Sequence, residues 1–305
     1  MPHSHSQGSQ HDHPPLSGKN LLYSILLNTG ITVAQVIGGL ISGSLSLLSD
    51  ALHNFTDVVS LIISYFANYL SKKDASRHRT FGYKRAEIVA AFINASSLMV
   101  ISVLLIYNAI DRFFNPQEIE AGLVIWLAIL AIAGNAFSVF LLKNDRKENL
   151  NMQSAYLHLL TDTLASVAVL IGGLLMKYYG IFWIDSLLTA GIAIYLIVVG
   201  YDLLKSSFHV LMLFSPTDIP VEKINSSILA LPEIRNVHHV HIWQLNENEI
   251  HLEAHIDFQE NINLKEFESV LEKIEAIVWK DFGINHVNIQ PEFDRCDNKE
   301  IIVQD

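Results

Sequence analysis

The chain contains a single cysteine, Cys296, among its 305 residues. That excludes an internal disulfide framework and any Cys-rich zinc finger, so metal binding must use histidine and carboxylate. Charge is also scarce: 17% of residues are Asp, Glu, Lys or Arg, against about 25% in ordinary soluble domains. Basic residues are the scarcer kind, 20 against 31 acids for a formal charge of −11. Nucleic acid is thereby set aside as a partner, because phosphate backbones are met by clustered Lys and Arg. Proline interrupts none of the long apolar runs. The N-terminus lacks a basic region followed by a short apolar core and a small-residue cleavage site, so the first apolar segment is expected to be retained. HExxH and Gly-x-Ser-x-Gly are both missing, which weakens the case for an enzyme such as an intramembrane metallohydrolase.

Apolar sequence is what remains, at 50% of residues. Six runs near residues 21–41, 45–70, 86–110, 122–142, 152–176 and 184–204 are each long enough to cross about 30 Å of hydrocarbon as a helix. Six in succession leave too little polar surface to cover them in water, which predicts an all-α six-helix transmembrane bundle over residues 21–208. Lys72, Lys73, Arg77, Arg79, Lys84 and Arg85 follow the second run, and Lys143, Arg146 and Lys147 follow the fourth. Basic loops stay on the cytoplasmic side, so both termini are expected there. Residues 1–20 carry four histidines in HSHSQGSQHDH. Too polar to fold alone, they are expected to be disordered, either as a solvated tail or as a loose metal trap.

After Lys205 the pattern becomes that of a soluble α+β domain, assigned to residues 209–296 and followed by a short tail, 297–305. An amphipathic segment at Asp218–Ala230 precedes two alternating runs, NVHHVHIWQL and EIHLEAHIDF, joined at Asn246–Asn248 as a hairpin. A helix over Leu264–Asp281 ends at Gly283, and INHVNIQ reads as a last strand. The order is α-β-β-α-β, one small sheet with two helices on one face.

Ionisable residues inside a span cost at least about 2.5–3.5 kcal/mol each, so each asks for a partner. The second run contains His53 and Asp57, and the fifth contains His158 and Asp162. Both pairs read HxxxD, and positions i and i+4 share one helix face. Two facing edges supply four N/O ligands, a set that suits tetrahedral Zn²⁺, with two carboxylates offsetting its charge. A lone pair of this kind could instead be an interhelical hydrogen bond; two copies at one spacing favour a metal site. Asp50 could orient His53 or stand at the outer mouth as an entry group.

The text SGSLSLLSDALHNFTD, RTFGYKRAEIVAAFIN, HLLTD, VHHVHIWQL and LEAHI resembles the cation diffusion facilitators of the bacterial cobalt, zinc and cadmium resistance type, over nearly the whole length. The resemblance implies a homodimeric metal/proton antiporter in the inner membrane. Its transport ligands match His53, Asp57, His158 and Asp162, and its cytoplasmic domain is metallochaperone-like, or ferredoxin-like. Histidine at position 53 implies a zinc preference, with Cd²⁺ and Co²⁺ as further candidates and no organic cofactor. The family's regulatory site maps to His238, His255 and Glu292 or Gln290, with His251 and His286 as spare candidates and Zn²⁺ as the regulatory ligand. Strand alternation sets His239 and His241 on one face and His238 on the other, and Trp243 is assigned to the fold or dimer core. Where some relatives have a loop histidine this chain has Tyr83, with Asp74 and His78 nearby in a different spacing.

Overall fold

The computed structural model describes the backbone of residues 19–142, 150–296 and 298–303. The histidine-containing N-terminal stretch up to residue 18 and the basic residues Lys143, Arg146 and Lys147 fall outside them. Six long helices come first: α1 (Lys19–Ser42), α2 (Leu45–Ser71), α3 (Ala86–Phe114), α4 (Ala121–Leu142), α5 (Leu150–Tyr179) and α6 (Trp183–Leu211). A small domain follows with α7 (Val221–Leu229), β1 (Ile234–Asn246), β2 (Glu249–Phe258), α8 (Leu264–Phe282) and β3 (His286–Glu292). The expected α-β-β-α-β order is therefore observed.

Among the described residues four stretches are long and apolar enough to cross a membrane: α3, Ala121–Phe140 of α4, His158–Tyr179 of α5, and α6. The described apolar part of α1, Leu26–Ser42, is shorter. Helix α2 carries Asp50, His53, Asn54 and Asp57 in its first half, which lowers its mean hydropathy. Polarity is distributed inside out. Tyr107, Trp126, Phe140 and Leu164 are exposed, whereas Gln35, Asp50, Asn54, Asn135, Ser166 and Asp185 are buried. Lipid is the solvent that suits this pattern, because the polar groups must satisfy one another within the protein.

Two compact units emerge. The first holds α1, α2 as far as Val59, and the described residues of Leu98–Val198. Within it α4 packs on both α1 and α5. Small residues permit the approach: a Cβ on Gly38 would run into the Leu127 side chain, and one on Gly134 into Ile31. The turn between α1 and α2 uses Gly43 at φ +72, the left-handed region that glycine enters without steric cost. Ser44 then caps α2 by accepting from the Leu47 N–H at 3.1 Å.

The second unit comprises Ser60–Ser97 and the described residues from Val199 onward. In its small domain β2 is the central strand, antiparallel to β1 and parallel to β3. Ile224 and Ile228 of α7 and Val270, Ile274 and Val278 of α8 bury against Ile242, Leu252, Ala254 and Ile256 of the sheet. Both helices thus cover one face, and the other face carries the alternate strand residues. Helix α8 starts at a reciprocal capping box between Asn263 and Glu266 and stops at Gly283, φ +69.

Candidate metal centre

The paired HxxxD residues meet in the first unit. Helix geometry puts His53 and Asp57 on one edge of α2, and His158 and Asp162 on one edge of α5. The four side chains close a ring of contacts. His158 Nε2 lies 3.1 Å from Asp57 Oδ2 and 3.5 Å from Asp162 Oδ2. His53 completes the ring with Nε2 at 3.6 Å from Asp162 Oδ1 and Nδ1 at 3.7 Å from Asp57 Oδ2. Nitrogen and oxygen donors about 2.0–2.2 Å from a tetrahedral zinc ion lie roughly 3.3–3.6 Å from one another. The contacts of the ring are near that range, and with one ligand atom from each residue His53, His158 and Asp162 gather within 4.8 Å of one another, a set that does not include Asp57. His53 offers both nitrogens to the ring, and a single ion would take one of them.

Burial is graded across the ring. Asp162 is 1% exposed and His53 13%, against 32% for Asp57 and 43% for His158. Both Asp162 oxygens, Asp57 Oδ2 and His53 Nδ1 are buried without a hydrogen-bond partner. Unsatisfied carboxylate oxygens in a bundle interior are costly, and a divalent cation among them removes the cost. Asp50, one turn before His53, is buried. Its Oδ2 accepts from Gln35 Nε2 of α1 at 2.7 Å and from Ser166 Oγ of α5 at 3.3 Å, tying three helices together.

A second cluster lies on the uncovered face of the small sheet. His238 and His255 are directly paired across β1 and β2, as are Asp257 and Glu292 across β2 and β3. Glu292 joins both imidazoles, Oε2 to His238 Nε2 at 3.2 Å and Oε1 to His255 Nδ1 at 3.1 Å. Of the two candidates Glu292 and Gln290, Glu292 is the one in contact with both imidazoles, and Gln290 donates to Glu292 Oε1 at 2.8 Å. Burial lowers the proton affinity of His255, partly opposed by Glu292, and so favours the neutral form that binds metal. The alternation expected for β1 is corrected at His239, which sits at φ +50 within a register shift between His238 and His241. This bulge turns the His239 ring onto His255, stacked at 4.5 Å.

Asp257 was not anticipated, although it stands two residues beyond His255 and so on the same strand face. It is buried, 4.0 Å from His238 Nδ1. Lys299 carried no sequence signal at all, and its Nζ enters the cluster from the tail. Among the described residues only these two sets gather three or more metal-capable ligands, His53 with His158 and Asp162, and His238 with His255 and Glu292. Asp74 and His78 do not join either, and both are exposed.

Both parts of the chain have known relatives. Residues 21–212 match the family model described as the cation efflux transmembrane domain, and residues 216–294 match the cation efflux protein cytoplasmic domain. The chain belongs to the cation diffusion facilitator family. It is similar to the cadmium, cobalt and zinc/H⁺-K⁺ antiporter of Bacillus velezensis, 38% identical over 93% of this chain and 92% of that protein. The metal cation efflux system protein CzcD of Cupriavidus metallidurans is 34% identical over 96% and 92% of the two chains. The zinc transporter ZitB of Escherichia coli is 33% identical over 97% and 94%. This cation diffusion facilitator is therefore a multi-pass membrane transporter and no enzyme, and divalent metal efflux is its general activity. The match of its cytoplasmic part also supports dimerisation.

The spare histidines of the transporter form a separate pair. His251 and His286 are adjacent across β2 and β3 with ring centroids 4.4 Å apart, and Trp243 stacks on His251 at 5.2 Å. His251 is buried and its Nε2 has no hydrogen-bond partner. Burial lowers its proton affinity, with His286, Lys84 and Arg85 adding and Glu249 opposing. The unfolded chain takes up a proton at this residue near pH 6.5, whereas the folded chain resists it, so stability must fall as pH drops below that value. For metal-free protein the loss of melting temperature between pH 7.5 and 5.5 is expected to be smaller in His251→Gln than in the native chain. An unchanged loss would remove His251 from the account.

Proposed function

We propose that this transporter exports Zn²⁺ from the cytoplasm in exchange for protons, by alternating access around His53, Asp57, His158 and Asp162. The observation that carries this reading is the convergence of His53, His158 and Asp162, with one ligand atom from each within 4.8 Å of the others, and Asp57 3.1 Å from His158 as the fourth candidate; such N/O donors suit zinc. Two imidazoles with two carboxylates also suit Cd²⁺ and Co²⁺, and both metals occur in the name of the Bacillus relative. The more exposed members, His158 and Asp57, lie toward the ends of α5 and α2 that lead into the basic loops. With those loops and both termini cytoplasmic, the cluster is open to the cytoplasm, and rocking of the bundle presents it to the other side. Ligands must be deprotonated to hold the ion, so protons arriving from an acidic exterior displace it. In this reading the protein works as a homodimer in the inner membrane, and His238, His255 and Glu292 bind regulatory zinc.

Inverted vesicles with an acidic lumen provide the test. Zinc uptake is expected to follow the imposed pH gradient and to lose most of its initial rate when the gradient is collapsed at constant zinc. Uptake indifferent to the gradient would point to a passive channel and refute exchange.

A further inference from the structure

Lys299 places a fixed positive charge where the cytoplasmic cluster would place its ion. Its Nζ stands 2.9 Å from Glu292 Oε2, 3.1 Å from Asp257 Oδ2 and 3.4 Å from His238 Nε2. One ammonium thus touches donor atoms of two of the three residues that a metal would need, His238 Nε2 and Glu292 Oε2. Asp257 and Glu292 are almost wholly buried, and two buried carboxylates require a cation near them. The lysine is held there by its backbone. At the β1 bulge the N–H of His239 donates to the Glu300 carbonyl at 3.1 Å, and that of Val240 to the Ile301 carbonyl at 2.8 Å. Ile301 packs against the domain core. These two backbone hydrogen bonds fasten the tail to β1 at its bulge.

We propose that Lys299 is a tethered, displaceable cation of the cytoplasmic cluster, and that a divalent ion binding His238, His255 and Glu292 expels its ammonium and releases the segment around Glu300 and Ile301 from β1. The proposal rests on reading that cluster as a metal site. Two cations cannot share donors this closely, so each occupant lowers the apparent affinity of the other. Zinc occupancy is thereby converted into a change of backbone contacts at the sheet edge, a signal that a partner or the bundle can read.

The full-length protein in detergent is titrated with zinc alone, and the cytoplasmic site is identified as the binding step lost in Glu292→Gln. At that step Lys299→Met is expected to bind zinc about tenfold more tightly than the native chain, because the competing occupant is gone. Arg235→Met removes a charge 3.7 Å from Asp257 without vacating the ion's place, and is expected to tighten binding less. Hydrogen exchange of the native chain, followed over peptides containing His239 and Val240, is expected to speed up on zinc addition. Equal effects of the Lys299 and Arg235 variants, or amides that stay protected with zinc bound, would overturn the displacement. A zinc-binding step indifferent to Glu292→Gln would instead overturn the metal-site reading beneath it.

Discussion

Zinc uptake by inverted vesicles is expected to fall at least about a hundredfold in Asp162→Ala, beyond the 10–100-fold usual for losing a residue that merely supports a ligand. Asp57→Ala should approach the same loss. The argument runs through stability as well as rate. Asp162 is almost fully buried, and its oxygens lie 3.6 Å from His53 and 3.5 Å from His158 without making a hydrogen bond, so at a pH that keeps both imidazoles neutral it is a burden in the metal-free protein. Removing it therefore leaves the melting temperature of the metal-free protein unchanged or raises it. Zinc, which raises the melting temperature of the native chain by binding the folded state, should no longer do so in the variant. A structural aspartate would behave in the opposite way, with flux per folded molecule retained and stability lost, and that result would sink the proposed transport site. Asp57 is the weaker test, because its greater exposure lets water take over part of its role.

That ring could be read from the sequence because one spacing repeats on two helices, and helical periodicity alone puts each pair on an edge. The helices were legible for a related reason: lipid imposes a minimum apolar length. Their ends were less so. Helix α3 continues through Asp111 and Arg112 to Phe114, past the expected end near 110, because the Arg112 guanidinium finds the Gly43 carbonyl and so tolerates its position. Helix α6 runs on to Leu211, since a helix does not stop where its apolar run stops. In the small domain, period-2 alternation located the three described strands but not the bulge at His239, which is a single positive φ value. Asp50 illustrates the remaining limit. Its polarity marked it as functional, yet its partners Gln35 and Ser166 come from two other helices, and pairing through space leaves no trace in one sequence. Lys299 is the same case with a longer reach.

Asp185 tests the converse of the Asp162 prediction. Sitting in the first turn of α6, it accepts from the backbone N–H groups of Leu45 and Ser46 at 2.7 and 3.2 Å and from the hydroxyls of Ser44 and Ser46 at 2.6 and 2.5 Å. It is a cap for α2 supplied by another helix, and a carboxylate at that helix N-terminus also meets the favourable end of its dipole. Truncation to alanine leaves buried donors without acceptors, at about 1–3 kcal/mol for each group. With two backbone donors orphaned, Asp185→Ala is expected to lose about 3 kcal/mol, or roughly 6–12 °C of melting temperature for a chain of this size. Ser46→Ala, which removes one hydroxyl and leaves the carboxylate in place, should lose much less. The cap lies eight residues before His53, about 12 Å along the helix, and contacts none of the four ring residues. Zinc flux per folded molecule should then survive in Asp185→Ala at temperatures below its lowered midpoint. If flux disappears while the fold persists, α2 transmits strain from its cap to His53, and the cap belongs to the transport cycle rather than to the scaffold alone.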